Sequence, residues 1–170
     1  MQQYLYAVLP LLVVMAGFGG SAFTQTNVDD REWVKSVPRA PWTPPSIVFS
    51  IVWGVLYVIL GVLLAHMINT QAYKSRRGVA SLSLLVLLCL CVLAWPFVYF
   101  KGRSQIGGVA LLGVILALAA AVCVLGGLSS QWLIVGGMGC LLLWGAFALS
   151  LGVYPFVQQQ KGRPANHIAP

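Results

Sequence analysis

The sequence predicts an all-α integral membrane protein, folded as a bundle of five transmembrane helices. Charged residues make up only 8% of the 170-residue chain and apolar residues 59%, whereas soluble domains average roughly 25% charged and 45 to 50% apolar residues. The apolar residues are gathered in five runs, each near the roughly 20 residues that a helix needs to cross a bilayer. These runs lack the alternation of barrel strands, and irregular backbone is not stable against lipid, so helices are expected.

The first predicted helix covers residues 4–23. A cleaved signal peptide is the alternative, since such peptides also begin a chain with an apolar segment. No lysine or arginine precedes this run, however, and it is longer than the roughly 7 to 15 apolar residues of a signal core. A membrane-spanning helix is therefore the favoured interpretation.

A long connection, residues 24–45, follows the first helix and is the candidate lid of a binding site. It contains all three acidic residues of the chain, Asp29, Asp30 and Glu32. It also contains Trp33, Trp42 and four prolines, a composition too stiff and too aromatic for a free linker. Thr43 is predicted to cap the next helix, with Pro44 as its first helical residue.

Four more helices are predicted after this connection, at residues 46–66, 79–100, 106–128 and 132–157. The connections between them are short, which forces sequential helices to pack antiparallel. Pro96 removes a hydrogen bond late in the third helix, so a kink is expected next to Trp95. Residues 1–157 thus form one transmembrane domain, and residues 158–170 are predicted to be a polar, disordered tail.

The basic residues predict the orientation of the bundle. All ten lie in the connections or the tail, and they explain the net charge of +7 without a nucleic-acid partner. Three lie on the side of the N-terminus, Lys74, Arg76 and Arg77, and seven lie on the side of the long loop and the C-terminus: Arg31, Lys35, Arg39, Lys101, Arg103, Lys161 and Arg163. This imbalance predicts a cytosolic C-terminus and an N-terminus that is outside or lumenal.

Small residues spaced four apart indicate where helices approach closely. Such spacing occurs at Gly17 and Ser21, at Gly61 and Ala65, and at Gly113, Ala117 and Ala121. Within a membrane, small residues let helix backbones pack against each other. The same pattern is also typical of homodimer contacts, so packing within the chain and a candidate homodimer both remain open.

Ionisable groups are missing from the predicted spans, which excludes several functions. No Asp, Glu, Lys or Arg lies inside a span, and transport driven by protons or ions needs such groups. His66 and His167 have no carboxylate near them in sequence, so acid and base catalysis is not expected. The four cysteines lie within spans without a CxxC pair, which favours apolar thiols over a metal site. We predict no catalytic residue, no metal and no required cofactor.

Aromatic side chains are the remaining candidates for a function. Pro45, Phe49, Trp53 and Tyr57 lie four apart on the second helix, and the fifth helix carries Trp144, Phe147, Ala148 and Leu151 at helical spacing. The third helix adds Trp95, Phe97 and Tyr99. Such rings could be core packing or an interfacial belt. Trp53 and Trp144 lie well inside their spans, however, where flat rings beside a small residue can form a slot for a flat apolar ligand.

One long motif resembles a known family. Its residues, at fixed spacing, are Trp33, Trp42, Pro44, Pro45, Val48, Phe49, Trp53, Leu56, Tyr57 and Gly61. Shorter matches are the segment from Trp95 to Phe100 and the segment from Trp144 to Leu151. The chain resembles, over nearly its whole length, the TspO/translocator protein family, whose members are also called tryptophan-rich sensory proteins or peripheral benzodiazepine receptors.

The resemblance implies a membrane receptor for tetrapyrroles such as protoporphyrin IX or haem, and for sterols, held in an aromatic pocket inside the bundle. Two alternatives are a porphyrin-degrading enzyme that uses light and oxygen, and a structural or regulatory membrane partner that has lost its ligand. The expected ligand-binding residues are Trp42, Pro45, Phe49, Trp53, Tyr57, Trp95, Phe97, Trp144, Phe147 and Ala148. Their expected role is stacking and shape.

The chain departs from the family pattern at polar positions, as a divergent member would. Val92 and Gly152 stand where the family usually has asparagine, and Gly113 stands at a position that is usually acidic. Hydrogen bonds that orient a ligand would be lost there, while apolar stacking would remain. The departures therefore affect the expected specificity for the family's ligands more than binding itself.

Overall fold

The computed structural model describes residues 2–24 and 28–161, and the regular elements in these ranges are all helical. The α-helices are α1 (Gln2–Thr24), α2 (Val28–Ser36), α3 (Ser46–Asn69), α4 (Arg76–Pro96), α5 (Gln105–Leu128) and α6 (Trp132–Lys161). A short 3-10 turn, Ala72–Lys74, joins α3 to α4. A π-helical turn, Phe97–Lys101, continues α4 towards α5.

Four of these helices are long and apolar enough to cross a membrane. They are α3, α4 with its π-helical turn, α5 and the portion of α6 up to Gln158. The all-α membrane class is thereby confirmed. The predicted total of five spans depends on α1, whose apolar stretch, Tyr4–Gly20, is shorter.

α5 packs closely against α4 and α6, as the short connections predict, whereas α3 and α4 contact each other only sparsely although a short turn joins them. α1 packs mainly against α3. Two of the small residues expected at close contacts lie between α1 and α3: a Cβ at Gly61 would overlap the Pro10 backbone, and a Cβ at Gly17 would overlap the Tyr57 ring. Gly113, in contrast, has no atom within 4 Å of where its Cβ would lie.

The densely packed core lies at the end of the bundle that is remote from the 24–45 connection. Its largest fully buried side chains come from the second half of α3, the middle of α4, the middle and second half of α5 and the first half of α6: Leu60, Leu63, Met67, Leu85, Leu88, Ile115, Val122, Ile134, Met138 and Leu141. The opposite end of the same helices is less tightly filled. That difference leaves room for a cavity below the long connection.

The start of α3 differs from the prediction. The helix begins at Ser46 with Pro45 as its N-cap residue, and the backbone N–H of Thr43 instead donates to Ala40 in a preceding turn, at 3.0 Å. The predicted cap at Thr43 is wrong because it makes Pro44 the first helical residue. A residue that precedes a proline avoids the α conformation, so Pro44 cannot begin a helix in front of Pro45.

The end of α4 and the end of the chain complete the fold. The π-helical turn begins directly after Pro96, where the missing N–H of proline interrupts the regular hydrogen-bond ladder. α6 continues to Lys161 and so includes the first residues of the predicted tail. The rest of that tail, residues 162–170, lies outside the described residues, as do residues 25–27 of the long connection.

Candidate functional site

A cavity of about 430 Å³ lies at the less densely packed end of the bundle. Its size falls within the roughly 300 to 1,000 Å³ of typical small-molecule sites. The connection between α2 and α3 covers it, and the walls come from the end of α1, the start of α3, the end of α4, the start of α5 and the end of α6. Every helix that contributes a wall therefore has one end at the same side of the bundle.

The cover of the cavity is formed by the end of α2 and the segment that follows it, and we call residues 34–44 the roof. The roof residues that line the cavity are Val34, Val37, Pro38, Arg39, Ala40, Thr43 and Pro44. The prolines restrict the backbone of this segment, because each fixes its own φ and removes a donor. A stiff roof of this kind keeps its shape without regular secondary structure.

Two aromatic contacts hold the roof and its flanks in place. Trp33 in α2 packs against Tyr99 of the π-helical turn, with ring centroids 5.3 Å apart, and Trp42 packs against Tyr154 of α6 at the same distance. An ion pair of 3.6 Å joins Asp29 to Arg103, but both side chains are substantially exposed. Exposed ion pairs contribute little to stability, so the two ring contacts are the stronger attachments.

The α3 wall consists of three aromatic rings that share one face of the helix. Phe49, Trp53 and Tyr57 all line the cavity. Trp53 and Tyr57 have ring centroids 5.9 Å apart, and Phe18 of α1 packs edge-on against Tyr57 at 5.8 Å. Residues four apart lie on the same side of an α-helix, so one stripe presents its rings to the same cavity.

The α4 wall is organised around Trp95. Its indole N–H donates a hydrogen bond to the backbone carbonyl of Gly108 in α5, at 2.9 Å. Tyr99 stacks on the Trp95 ring with centroids 4.8 Å apart and an interplanar angle of 9°, while Phe100 packs edge-on against it at 5.8 Å. The bond to Gly108 satisfies the polar group of Trp95, so the ring can present an apolar surface.

The polar side chains of the cavity are gathered near the roof. They are Arg39, Thr43, Ser46, Ser50 and Gln105, apart from the polar groups of the aromatic rings. The residues farthest along their helices from the roof are apolar or aromatic: Tyr57, Val92 and Leu112. The end of the cavity next to the roof, which we call the mouth, is therefore polar and cationic. The opposite end, which we call the floor, is apolar or aromatic.

Comparison with known proteins identifies the family. A profile of the TspO/MBR family matches residues 8–156. The chain belongs to the TspO/MBR family. The resemblance inferred from the tryptophan and proline motifs is thereby confirmed.

Individual TspO/MBR relatives are distant in sequence. The chain is 28% identical over 97 residues to the tryptophan-rich protein TspO of Chlorobaculum tepidum, a match that covers 57% of the chain and 60% of that protein. It is 24% identical over 121 residues to protein CrtK of Rhodobacter capsulatus, covering 71% of the chain and 72% of CrtK. The TspO of Archaeoglobus fulgidus is 38% identical over 58 residues, 34% of the chain and 37% of that protein.

Five of the ten residues that were expected to bind a ligand line the cavity, namely Phe49, Trp53, Tyr57, Trp95 and Ala148. The other five do not line it. Trp42 packs outside against Tyr154, Pro45 caps α3, and Phe97 is 43% exposed beside Gly20 of α1. Trp144 packs against Phe49 and Phe147, with centroids 5.4 and 5.3 Å apart. Trp144 thus lies behind Phe49 rather than at the cavity surface.

Several cavity residues were not singled out from the sequence. Most belong to the roof or to α5, where Gln105, Gly108, Val109 and Leu112 line the cavity at i, i+3, i+4 and i+7. This spacing marks one face of a helix, so the signal was present. The spacing of aromatic residues could not reveal this face, because α5 contains no aromatic residue. Tyr99 was named among the aromatic candidates of the third helix, but neither Tyr99 nor Phe100 was among the expected ligand-binding residues, because the π-helical turn was not expected.

The positions where this chain departs from the TspO/MBR pattern separate into two groups. Val92 and Gly152, at which the resemblance implies asparagine, line the cavity as apolar residues. Gly113, at which the resemblance implies an acidic residue, does not line it. The cavity wall therefore includes the first two positions and not the third.

Proposed function

We propose that this TspO/MBR-family chain is a membrane receptor that binds a tetrapyrrole, such as protoporphyrin IX or haem, in the roofed cavity. Sterols are the second proposed ligand class. The observation that carries the proposal is that indole rings from two helices, Trp53 of α3 and Trp95 of α4, line one cavity together with Phe49. Flat aromatic ligands stack on such rings, and an apolar cavity of this size is typical of ligand sites.

The proposed setting is a bundle of five spans that includes α1, with the N-terminus outside or lumenal and the C-terminus in the cytosol. The roof and the C-terminal end of α6 lie at the same end of the bundle. A ligand would then enter from the cytosolic side. The proposed partners are the lipid bilayer and a second copy of the chain, which the open surface at Gly113 would accommodate.

Quenching of tryptophan fluorescence by protoporphyrin IX tests the proposed receptor. We expect saturable quenching, and we expect Trp53→Leu to raise the dissociation constant about fivefold, the loss of one stacked aromatic contact of roughly 1 kcal/mol. Trp132→Leu is the matched control, because Trp132 is 72% exposed at the far end of α6. Circular dichroism confirms that both variants fold.

The outcomes separate the proposed functions. Equal affinities for the Trp53 and Trp132 variants would place binding outside this cavity. No quenching at micromolar ligand would contradict the receptor function and favour the structural or regulatory role.

Light-dependent degradation of porphyrin is a second candidate function. The observation that favours it is the same pair of indoles, since a photosensitiser bound in the cavity would contact Trp53 and Trp95. Illumination of the complex in air, with the porphyrin absorption band followed over time, tests it. Bleaching that is faster with the wild-type chain than with Trp95→Leu supports degradation, and equal rates contradict it.

A further inference from the structure

The charges around the cavity point to one chemical feature of its ligand. Of the lining residues that the structure describes, Arg39 is the only one with a charged side chain, and none carries a carboxylate. Arg39 is exposed at the mouth, where Thr43, Ser46 and Gln105 add neutral polar groups. A carboxylate that entered between these groups would find a cation and several hydrogen-bond donors.

The helix ends add to the positive potential at the mouth. Both α3 and α5 begin there, with Ser46 and Gln105 as their first residues, and neither has an acidic residue in its first turn. The N-terminus of a helix carries a partial positive charge. In α5 the Ser104 hydroxyl accepts a hydrogen bond from Gly107, whereas no side chain caps α3.

The acidic side chains that the structure describes near the mouth do not cancel this charge. Asp29 pairs with Arg103, and Glu32 is exposed on α2; neither lines the cavity. Lys35 lies at the same end of the bundle and is exposed. The field at the mouth therefore attracts anions, while the floor formed by Val92 and Leu112 favours an apolar body.

We propose that the cavity selects amphiphilic ligands that combine a flat apolar body with a carboxylate, and that Arg39 is the residue that pairs with this carboxylate. The inference rests on the proposed receptor function and narrows its ligands. A porphyrin carboxylic acid has both the flat apolar body and the carboxylate, whereas a neutral sterol has no carboxylate. The planar guanidinium of arginine suits a carboxylate, since it offers two parallel N–H donors.

The experiment compares protoporphyrin IX with its dimethyl ester, which has the same ring but no charge. Binding is measured by fluorescence quenching in nanodiscs of phosphatidylcholine, so that no anionic lipid competes. We expect the wild-type chain to bind the free acid about fivefold more tightly than the ester, the scale of an ion pair open to solvent. Arg39→Gln is expected to remove this preference, Arg39→Lys to retain part of it, and the matched control Lys35→Gln to leave it unchanged.

Salt provides a second measurement that needs no variant. Raising the ionic strength from about 0.02 to 0.5 M is expected to weaken binding of the free acid and leave the ester unaffected, because screening acts only on the charged ligand. Equal wild-type affinity for acid and ester, or equal loss of both in Arg39→Gln, would overturn the inference while leaving the receptor function standing. Failure of both ligands to bind the wild-type chain would overturn the receptor function and this inference together.

Discussion

At the scale of single residues, the cavity wall depends on Gly108. Its carbonyl accepts the hydrogen bond from Trp95, and its missing side chain leaves space for the Tyr99 ring. A Cβ at this position would overlap that ring. One glycine therefore fixes the orientation of two stacked aromatic side chains.

Gly108→Ala is expected to lower the stability of the protein, because the added methyl group must displace Tyr99. Overpacking of this kind costs roughly 1 to 3 kcal/mol. Thermal unfolding in detergent, followed by circular dichroism, measures the change. Gly113→Ala is the control on the same helix, where nothing lies within 4 Å of the new methyl group. Equal melting temperatures for the two variants would show that Tyr99 moves away without cost.

The aromatic stripe of α3 could be predicted from sequence because a four-residue spacing stays on one helix face over three turns. Phe49, Trp53 and Tyr57 accordingly all line the cavity. The same argument placed Trp144 at the site, since it lies one turn before Ala148. Spacing identifies a face but does not say which ring on that face is nearest the cavity. Phe49 packs against Trp144, and a contact between α3 and α6 cannot be read from either helix alone.

At the scale of whole elements, the roof is held mainly by side-chain contacts. The helix that leads into the roof, α2, contacts the π-helical turn through the rings of Trp33 and Tyr99. Its other contact, the ion pair between Asp29 and Arg103, is open to solvent. Aromatic pairs contribute roughly 0.5 to 1.5 kcal/mol beyond the area they bury, and exposed ion pairs contribute less. The ring contact should therefore decide how often the roof opens.

Trp33→Ala is expected to accelerate trypsin cleavage after Lys35 and Arg39 about threefold to tenfold, because the loss of the ring contact favours the open roof. The rate of appearance of the cleaved fragments in detergent measures the effect, and no ligand is needed. Asp29→Asn is the matched control in the same helix, with an expected change of less than about twofold. A larger effect of Asp29→Asn than of Trp33→Ala would mean that the ion pair is the stronger attachment.

The long helices could be predicted to within four residues at each end, whereas the short elements could not be predicted. The predicted run 106–128 corresponds to Gln105–Leu128, because the apolar length is set by the bilayer. α2 is short and polar, so no apolar periodicity marks it within the long connection. The π-helical turn after Pro96 has no pattern of its own either. Sequence predicted a kink there, but not the extra residue that brings Phe100 beside Trp95.

At the scale of the whole molecule, the orientation of the bundle decides from which compartment the cavity is reached. The seven basic residues that the sequence assigns to the side of the long connection and the C-terminus predict that this side faces the cytosol. Lys35 lies on that side, and Lys74 lies in the turn between α3 and α4 on the other. Both side chains are exposed, so they are suitable positions for labelling.

Labelling of single added cysteines with a membrane-impermeant maleimide tests the orientation. We expect Lys74→Cys to react in intact spheroplasts and Lys35→Cys to react only after the membrane is permeabilised, because only the first would face outward. The wild-type chain, whose four cysteines lie in α4, α5 and α6, provides the background. The reverse labelling pattern would contradict a cytosolic roof.

The division of the bundle into a dense end and a hollow end has an evolutionary consequence. The largest fully buried side chains, such as Leu60 and Ile134, do not line the cavity, although Val92 and Tyr57 belong to both the core and the cavity wall. Substitutions of cavity residues outside this overlap, and outside tight contacts such as that of Gly108, are therefore expected to cost little folding stability. Under the proposed function, such positions would let ligand preference change while the architecture is kept.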